Sequence, residues 1–284
     1  RERVVRDLVA LTRYERPRGP LQVRRFGVVR RESYVMEQLV FDVEPGRYIA
    51  AVLCRPGKPL GAAVVYVDQR GRLAPLEEGA HGDALARQGY TVLSVDLSGT
   101  GAPLNEGPQP AEDAPWGAHT TWAALMAGRT MVGIQMQDIV RALDLLDEQG
   151  LPHKGRVFGV GRGLAGVALL HAAAIEPRLA AVAVEDSLIS YRAIAATPIH
   201  TRSIFRVIVP GVLGKYDLQD VVAAISPRPV TLVGLRSPLD LPMAASAVAL
   251  HYKCAKQAYR VRGAESKLRI ASRRSGEPLF PAEP

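Results

Sequence analysis

At 284 residues, 48% of them hydrophobic and 23% charged, the chain has the composition of a folded globular protein large enough for one substantial core or two small ones. No apolar run approaches the roughly 20 uncharged residues of a membrane-spanning helix, so the expectation is a soluble protein with no membrane partner. Cys54 and Cys254 are too few and too isolated for a disulfide framework or a zinc site, and the net charge of +8 is spread along the chain.

Residues 1–30 read as a helix, with Val4, Val5, Leu8 and Leu11 at helical spacing, followed by a connector broken by Pro and Gly. The runs Tyr34 to Val43 and Tyr48 to Cys54, separated by Glu44-Pro45-Gly46, predict a β-hairpin. Strands at 62–67, 91–95, 156–160, 179–185 and 229–235 then alternate with helices at about 80–88, 131–149, 164–175 and 241–256. This alternation predicts an α/β fold: a mostly parallel central sheet with helices on both faces, preceded by the antiparallel hairpin. The strand runs AAVVYV, TVLSV, LAAVAV and PVTLV are apolar on both faces, as buried parallel strands are. Residues 187–228 have weak helical patterning and several prolines, and read as a cap-like or helical insertion. The expected organisation is an N-terminal helix and connector at 1–33 and one domain at 34–284.

Arginines thicken only at Arg24, Arg25, Arg30 and Arg31 and at Arg260, Arg262, Arg269, Arg273 and Arg274, without aromatic interleaving or a helix-turn-helix pattern. The expectation is a solvated basic surface and no nucleic-acid partner. The chain opens on Arg1 with no apolar signal segment, the pattern of a processed or trimmed product.

Ligand sites in open parallel sheets lie at the carboxyl ends of the strands. Those ends carry Asp68-Gln69-Arg70, Asp96-Leu97-Ser98-Gly99, Gly161-Arg162-Gly163, Glu185-Asp186 and Arg236 to Asp240. Three longer segments are more specific: GYTVLSVDLSGTGAP (Gly89 to Pro103), QDIVRALDLLDEQG followed by RVFGVGRGLAG, and ISPRPVTLVGLRSPLD (Ile225 to Asp240). Over residues 34–270 they resemble the α/β-hydrolase superfamily. Within it the chain is most similar to acetylxylan-esterase-like and cephalosporin-deacetylase-like proteins, which remove acetyl groups from sugars. The resemblance implies a hydrolase fold, a carbohydrate or other small-molecule ligand, no cofactor, a secreted or periplasmic setting, and Asp240 at the position of the triad acid.

Two departures from the hydrolase pattern stand out. The elbow of this fold places a nucleophile at the centre of G-x-S-x-G. Here the turn reads Gly159-Val160-Gly161-Arg162-Gly163-Leu164-Ala165-Gly166, and neither frame, centred on Gly161 or on the better-supported Gly163, supplies Ser, Cys or Asp. Without a side-chain nucleophile no acyl-enzyme forms. The triad histidine should follow the acid, yet His251 sits inside the last predicted helix and no histidine comes after it. His81, His119, His153, His171 and His200 show no metal spacing, with His200 in the cap-like segment the one nearest the expected pocket.

What survives is a binding surface. The amides of Gly163 and Leu164 open a helix, and Arg70, Arg162 and Arg236 stand at strand ends where guanidinium groups match carboxylates bidentately. Together with Gln69, Asp96 and His200 they form the expected contacts of an anionic or acetylated sugar. The plainer alternative pairs the arginines with Asp68, Asp96, Glu185 and Asp186. A third reading activates water with Asp186, Asp240 or Ser98. A fourth takes Gly161 to Gly166 as a G-x-G-x-x-G dinucleotide turn, trailed by Glu185 and Asp186 as ribose-binding acids.

Overall fold

The computed structural model describes residues 1–100, 118–151, 153 and 155–272. Among them nine strands form one sheet: β1 (Val23–Arg30), β2 (Tyr34–Glu44), β3 (Arg47–Pro56), β4 (Ala63–Asp68), β5 (Thr91–Val95), β6 (Val157–Arg162), β7 (Leu179–Glu185), β8 (Val230–Val233) and β9 (Leu268–Ala271). Their spatial order is β1-β2-β3-β5-β4-β6-β7-β8-β9. The pairings from β1 through β3 to β5 are antiparallel, and every pairing from β5 to β9 is parallel. The order reverses between β5 and β4, so β4 and β6 lie side by side and their carboxyl ends form the crevice in which an open α/β sheet binds ligands.

The helices are α1 (Glu2–Thr12), α2 (His81–Arg87), α3 (Ala118–Met126), α4 (Met131–Glu148), α5 (Ala165–Ile175), α6 (Tyr191–Ala196), α7 (Leu218–Ile225), α8 (Ala245–His251) and α9 (Lys253–Val261). One core joins Leu8 of α1, Met136 and Ile139 of α4, Leu169 of α5, Val221 of α7 and Tyr259 of α9 to the sheet. A second core, on Tyr66, Val92 and Val160, is covered by Leu76 and by Leu85 and Ala86 of α2. Helices on both faces explain why β4, β5 and β8 are buried at every position. No helix is long and apolar enough to cross a membrane among the described residues.

Four local differences from the sequence expectation have physical causes. Residues 23–30, expected as connector, form β1, an edge strand whose side chains are mostly exposed and so lack an apolar alternation. The four-residue β9 was not anticipated, because its register with β8 is a tertiary property. The helix expected at 241–256 is two, α8 and α9, broken at Tyr252. Within 187–228 the chain forms α6, short 3-10 turns at Arg202–Val207 and Val212–Gly214, and then α7. Helix α7 carries a capping box made by Asp217 and Asp220, and its Val221 and Val222 enter the main core, so this part of the segment belongs to the helical layer.

Beneath β3 and β5, the fully buried Asp138 of α4 is engaged by the Arg47 guanidinium and accepts from the Ser98 amide at 2.7 Å. Arg47 also donates to Glu44, Ser98 Oγ and Gln137. Burial pushes the Asp138 carboxyl above its ordinary range, against the pull of Arg47. This network ties α4 to the hairpin and to the turn after β5.

Candidate functional site

The elbow is the turn between β6 and α5. Small residues are compulsory here: a Cβ on Gly161 would lie 2.8 Å from Gly166 Cα, and one on Gly166 would lie 2.2 Å from Val184 Cγ1. Gly163 adopts φ +65°, the left-handed region of a sharp strand-to-helix turn, and donates its amide to Glu185 O at 2.9 Å. Between the two frames open in the sequence, the geometry selects Gly163 as the centre of the bend.

The space beside Gly163 is filled from the neighbouring strand. A Cβ built on Gly163 would fall 2.3 Å from Gln69 Cδ and 2.4 Å from its Oε1. That carboxamide oxygen accepts from the Leu164 amide at 3.0 Å, and the Gln69 amide donates to Arg162 O at 3.2 Å. Gln69 follows β4 directly, so the register of Asp68 with Arg162 delivers its side chain to the bend. A planar amide therefore fills the side-chain space of Gly163, its oxygen accepting from the amide of Leu164, the residue just before α5.

An alternating charge chain runs beside it. Arg162 pairs with Glu185 at 3.6 Å and Asp186 at 3.5 Å; Arg236 pairs with Asp186 at 3.2 Å, and donates to Asp240 O at 2.8 Å with Asp240 Oδ1 at 3.5 Å. Asp186 (φ +52°) and Asp240 (φ +60°) both hold left-handed backbone, which Asp tolerates better than most residues. Asp240 is 65% exposed in a tight turn, and Arg236 is its one ion-pair partner among the described residues. The pairing alternative to a ligand-facing arginine cluster is thus realised for all three strand-end arginines, since Arg70 pairs with Asp68. Each keeps part of its side chain exposed.

Other expected residues are drawn elsewhere. Asp96 is buried and taken by the Arg72 guanidinium and amide, the latter at 2.6 Å; burial raises its carboxyl above the usual range although Arg72 opposes this. Ser98 faces Arg47 and Asp138 in the interior network. His200 is half-buried, its ring against Phe205 at 6.2 Å. His171 is buried in α5, held by Val167 O and Tyr216 Oη, and burial pushes its imidazole down to about 4. His153 lies with Asp147, His81 stacks edge-on against Tyr66, and His251 is exposed on α8. The side chain of His119, the turn residues Gly101 to Pro103 and residues 273–284 lie outside the described residues. Among the described residues no cluster of His, Cys, Asp and Glu could hold a metal ion.

Ser187, which the sequence reading passed over, follows β7 with no exposed surface. Its Oγ has no hydrogen-bond partner among the described residues and lies 2.9 Å from where a Cβ of Gly166 would sit. A serine next to an acidic pair carries no distinguishing signal in the sequence.

The order and direction of the strands match the hydrolase expectation, and comparisons with known proteins agree. YtaP of Bacillus subtilis, assigned as a hydrolase, is 24% identical over 238 residues, covering 78% of this chain and 76% of that one. A Bacteroides fragilis protein assigned as an acetyl xylan esterase superposes with a TM-score of 0.75 at 15% identity, over 99% of this chain and 75% of that one. The acetyl xylan esterase of Paenibacillus sp. R4 superposes with a TM-score of 0.61 at 16% identity, over 98% and 88%. The G-x-G-x-x-G reading of Gly161 to Gly166 is corrected by this fold: the three glycines serve the bend and its packing, and Glu185 and Asp186 are held by arginines. With a family model matching residues 41–276, the chain belongs to the Abhydrolase family and has its α/β-hydrolase fold.

Proposed function

We propose that this chain is a carbohydrate-binding member of the family, holding an acetylated or anionic sugar at the strand ends without serine-type catalysis. The observation that carries the reading is the Gly163 bend, which bears only hydrogen and has the Gln69 carboxamide in its side-chain space. A bend with no attacking oxygen forms no acyl intermediate. The Leu164 amide beside it nevertheless donates to an sp² oxygen, Gln69 Oε1, at 3.0 Å. An acetyl carbonyl or a carboxylate presents the same kind of oxygen, and Arg162 and Arg236 flank it with partly exposed guanidinium groups.

Titration calorimetry with acetylated xylotetraose and with galacturonic acid tests this, beside a p-nitrophenyl acetate assay on the same preparation. Binding without turnover is expected, and Arg162→Ala should weaken it about tenfold, the worth of one hydrogen bond to a charged group. Absence of binding to both sugars overturns the reading. Ester turnover that disappears in Asp240→Asn overturns it as well, in favour of carboxylate-activated water.

A further inference from the structure

Above the strand ends, α3 and the 3-10 turn Arg202–Val207 meet through Trp122 and Phe205, whose rings lie 5.9 Å apart and tilted by 41°. Each arm of this arch is anchored at a different strand. The Thr201 amide donates to Pro238 O at 3.0 Å, tying the turn to the loop after β8 that carries Arg236 and Asp240. On the other side, Thr120 Cγ2 lies 3.9 Å from where a Cβ of Gly99 would sit, placing the start of α3 against the turn after β5. In the sheet, β5 and β8 enclose β4, β6 and β7, so the elbow and Gln69 lie in the interval that the arch spans.

The arch is unusual in two ways that no element of the fold requires. Trp122 is 54% exposed although Phe205 backs it, and Ile199 (75%) and Met126 (88%) are also exposed. Thr201 and Ser203, whose hydroxyls are 3.1 Å apart, give the same turn a polar side. A firmly backed aromatic face beside hydroxyl groups matches a pyranose ring, which has apolar C–H faces and hydroxyl edges. The charge is one-sided as well. Residues 187–216 contain Arg192, Arg202, Arg206 and Lys215 and no Asp or Glu. Arg192 and Arg202 are exposed and make no ion pair with the described residues.

We infer that this arch is a second sugar subsite for an anionic oligosaccharide, with Trp122 stacking on a uronosyl ring and Arg202 meeting its carboxylate. The inference rests on the carbohydrate-binding reading of the elbow and extends it from one ring to a chain of several. It assigns binding roles to two residues, Trp122 and Arg202, that the elbow does not use.

The test compares galacturonic acid, tetragalacturonic acid and neutral xylotetraose by titration calorimetry against the wild type, Trp122→Ala, Trp122→Phe and Arg202→Gln, each with its melting temperature. Expected is an affinity for the acidic tetramer about tenfold lower in Trp122→Ala and largely restored in Trp122→Phe. Arg202→Gln should weaken the acidic tetramer and leave xylotetraose unchanged. The monosaccharide, which fills the elbow alone, should bind all four proteins equally. Should the tetramer bind Trp122→Ala as tightly as wild type while Arg162→Ala weakens the monosaccharide, the arch is not a subsite and the elbow reading stands. If neither acidic sugar binds the wild type, both fall together.

Discussion

The Gly163 bend permits a quantitative check on the contact at the centre of the site. Gly163→Ala places an L side chain at φ +65°, which costs about 1–2 kcal/mol. The new Cβ also lies 2.3 Å from Gln69 Cδ, so the Gln69 side chain must rotate away and give up its bond to the Leu164 amide, worth about 1 kcal/mol. The single variant should therefore lose about 2–3 kcal/mol. Gln69→Ala loses the same hydrogen bond without strain and should cost about 1 kcal/mol or less, since water can reach the exposed Leu164 amide. In the double variant that bond is lost only once, so the two effects should fall short of additivity by about 1 kcal/mol, against about 0.3–0.5 kcal/mol of scatter for independent sites. Urea denaturation of the four proteins, with the slopes compared, measures the cycle. Full additivity would show that Gln69 does not occupy the bend, and the reasoning built on that contact would fail.

Arg47→Ala leaves the Asp138 carboxylate buried without its counter-charge, and should destabilise by about 3–5 kcal/mol, much of it recovered in Arg47→Ala/Asp138→Leu; denaturant midpoints read both. Ser187→Ala removes a buried hydroxyl with no partner among the described residues, so it should be neutral or stabilising by about 1 kcal/mol in thermal melts, and a loss of about 1 kcal/mol or more would refute this. His171 has a folded pKa of about 4 against 6.5 for the free group, so the unfolded chain takes up a proton first as pH falls. Its contribution is complete above 6.5 and lost by about 4, amounting to roughly 3 kcal/mol, and His171→Gln should flatten the stability profile over that interval. In Gln69→Ala, acidic sugars should bind several-fold more tightly, because an internal competitor for the Leu164 amide is gone; equal affinity would refute the competition.

The parallel half of the sheet was legible because strands buried on both faces write continuous apolar runs, as VTLV of β8 and TVLSV of β5 do. Strand β1 was not, since an edge strand held by its ladder to β2 needs no apolar alternation. The site divides along the same line. The bend at Gly163 is a local property of a glycine-rich turn and could be read directly, as could the arginines at the strand ends. Gln69 was expected as a strand-end ligand contact and not as the residue that fills the bend, because its seat on the elbow depends on β4 and β6 being neighbours in space although 89 positions separate Asp68 from Val157 in the chain. The aromatic pair Trp122 and Phe205 left no sequence signal for the same reason: two rings 83 positions apart meet only when β5 and β8 have placed their loops.

Strand β1 closes one side of the sheet and, among the described residues, pairs with β2 alone, so its other edge presents a row of backbone donors and acceptors. Such a row templates strand addition by any chain, a copy of itself included. Here it is studded with Arg24, Arg25 and Arg30, all exposed, alongside Phe26 and Val28. Arg24 and Arg25 stand 3.9 Å from Asp42 and 3.4 Å from Glu37 of β2, respectively, so the border carries charge of both signs. Charged side chains on an edge strand disfavour strand addition, and concentrated salt would weaken their ion pairs.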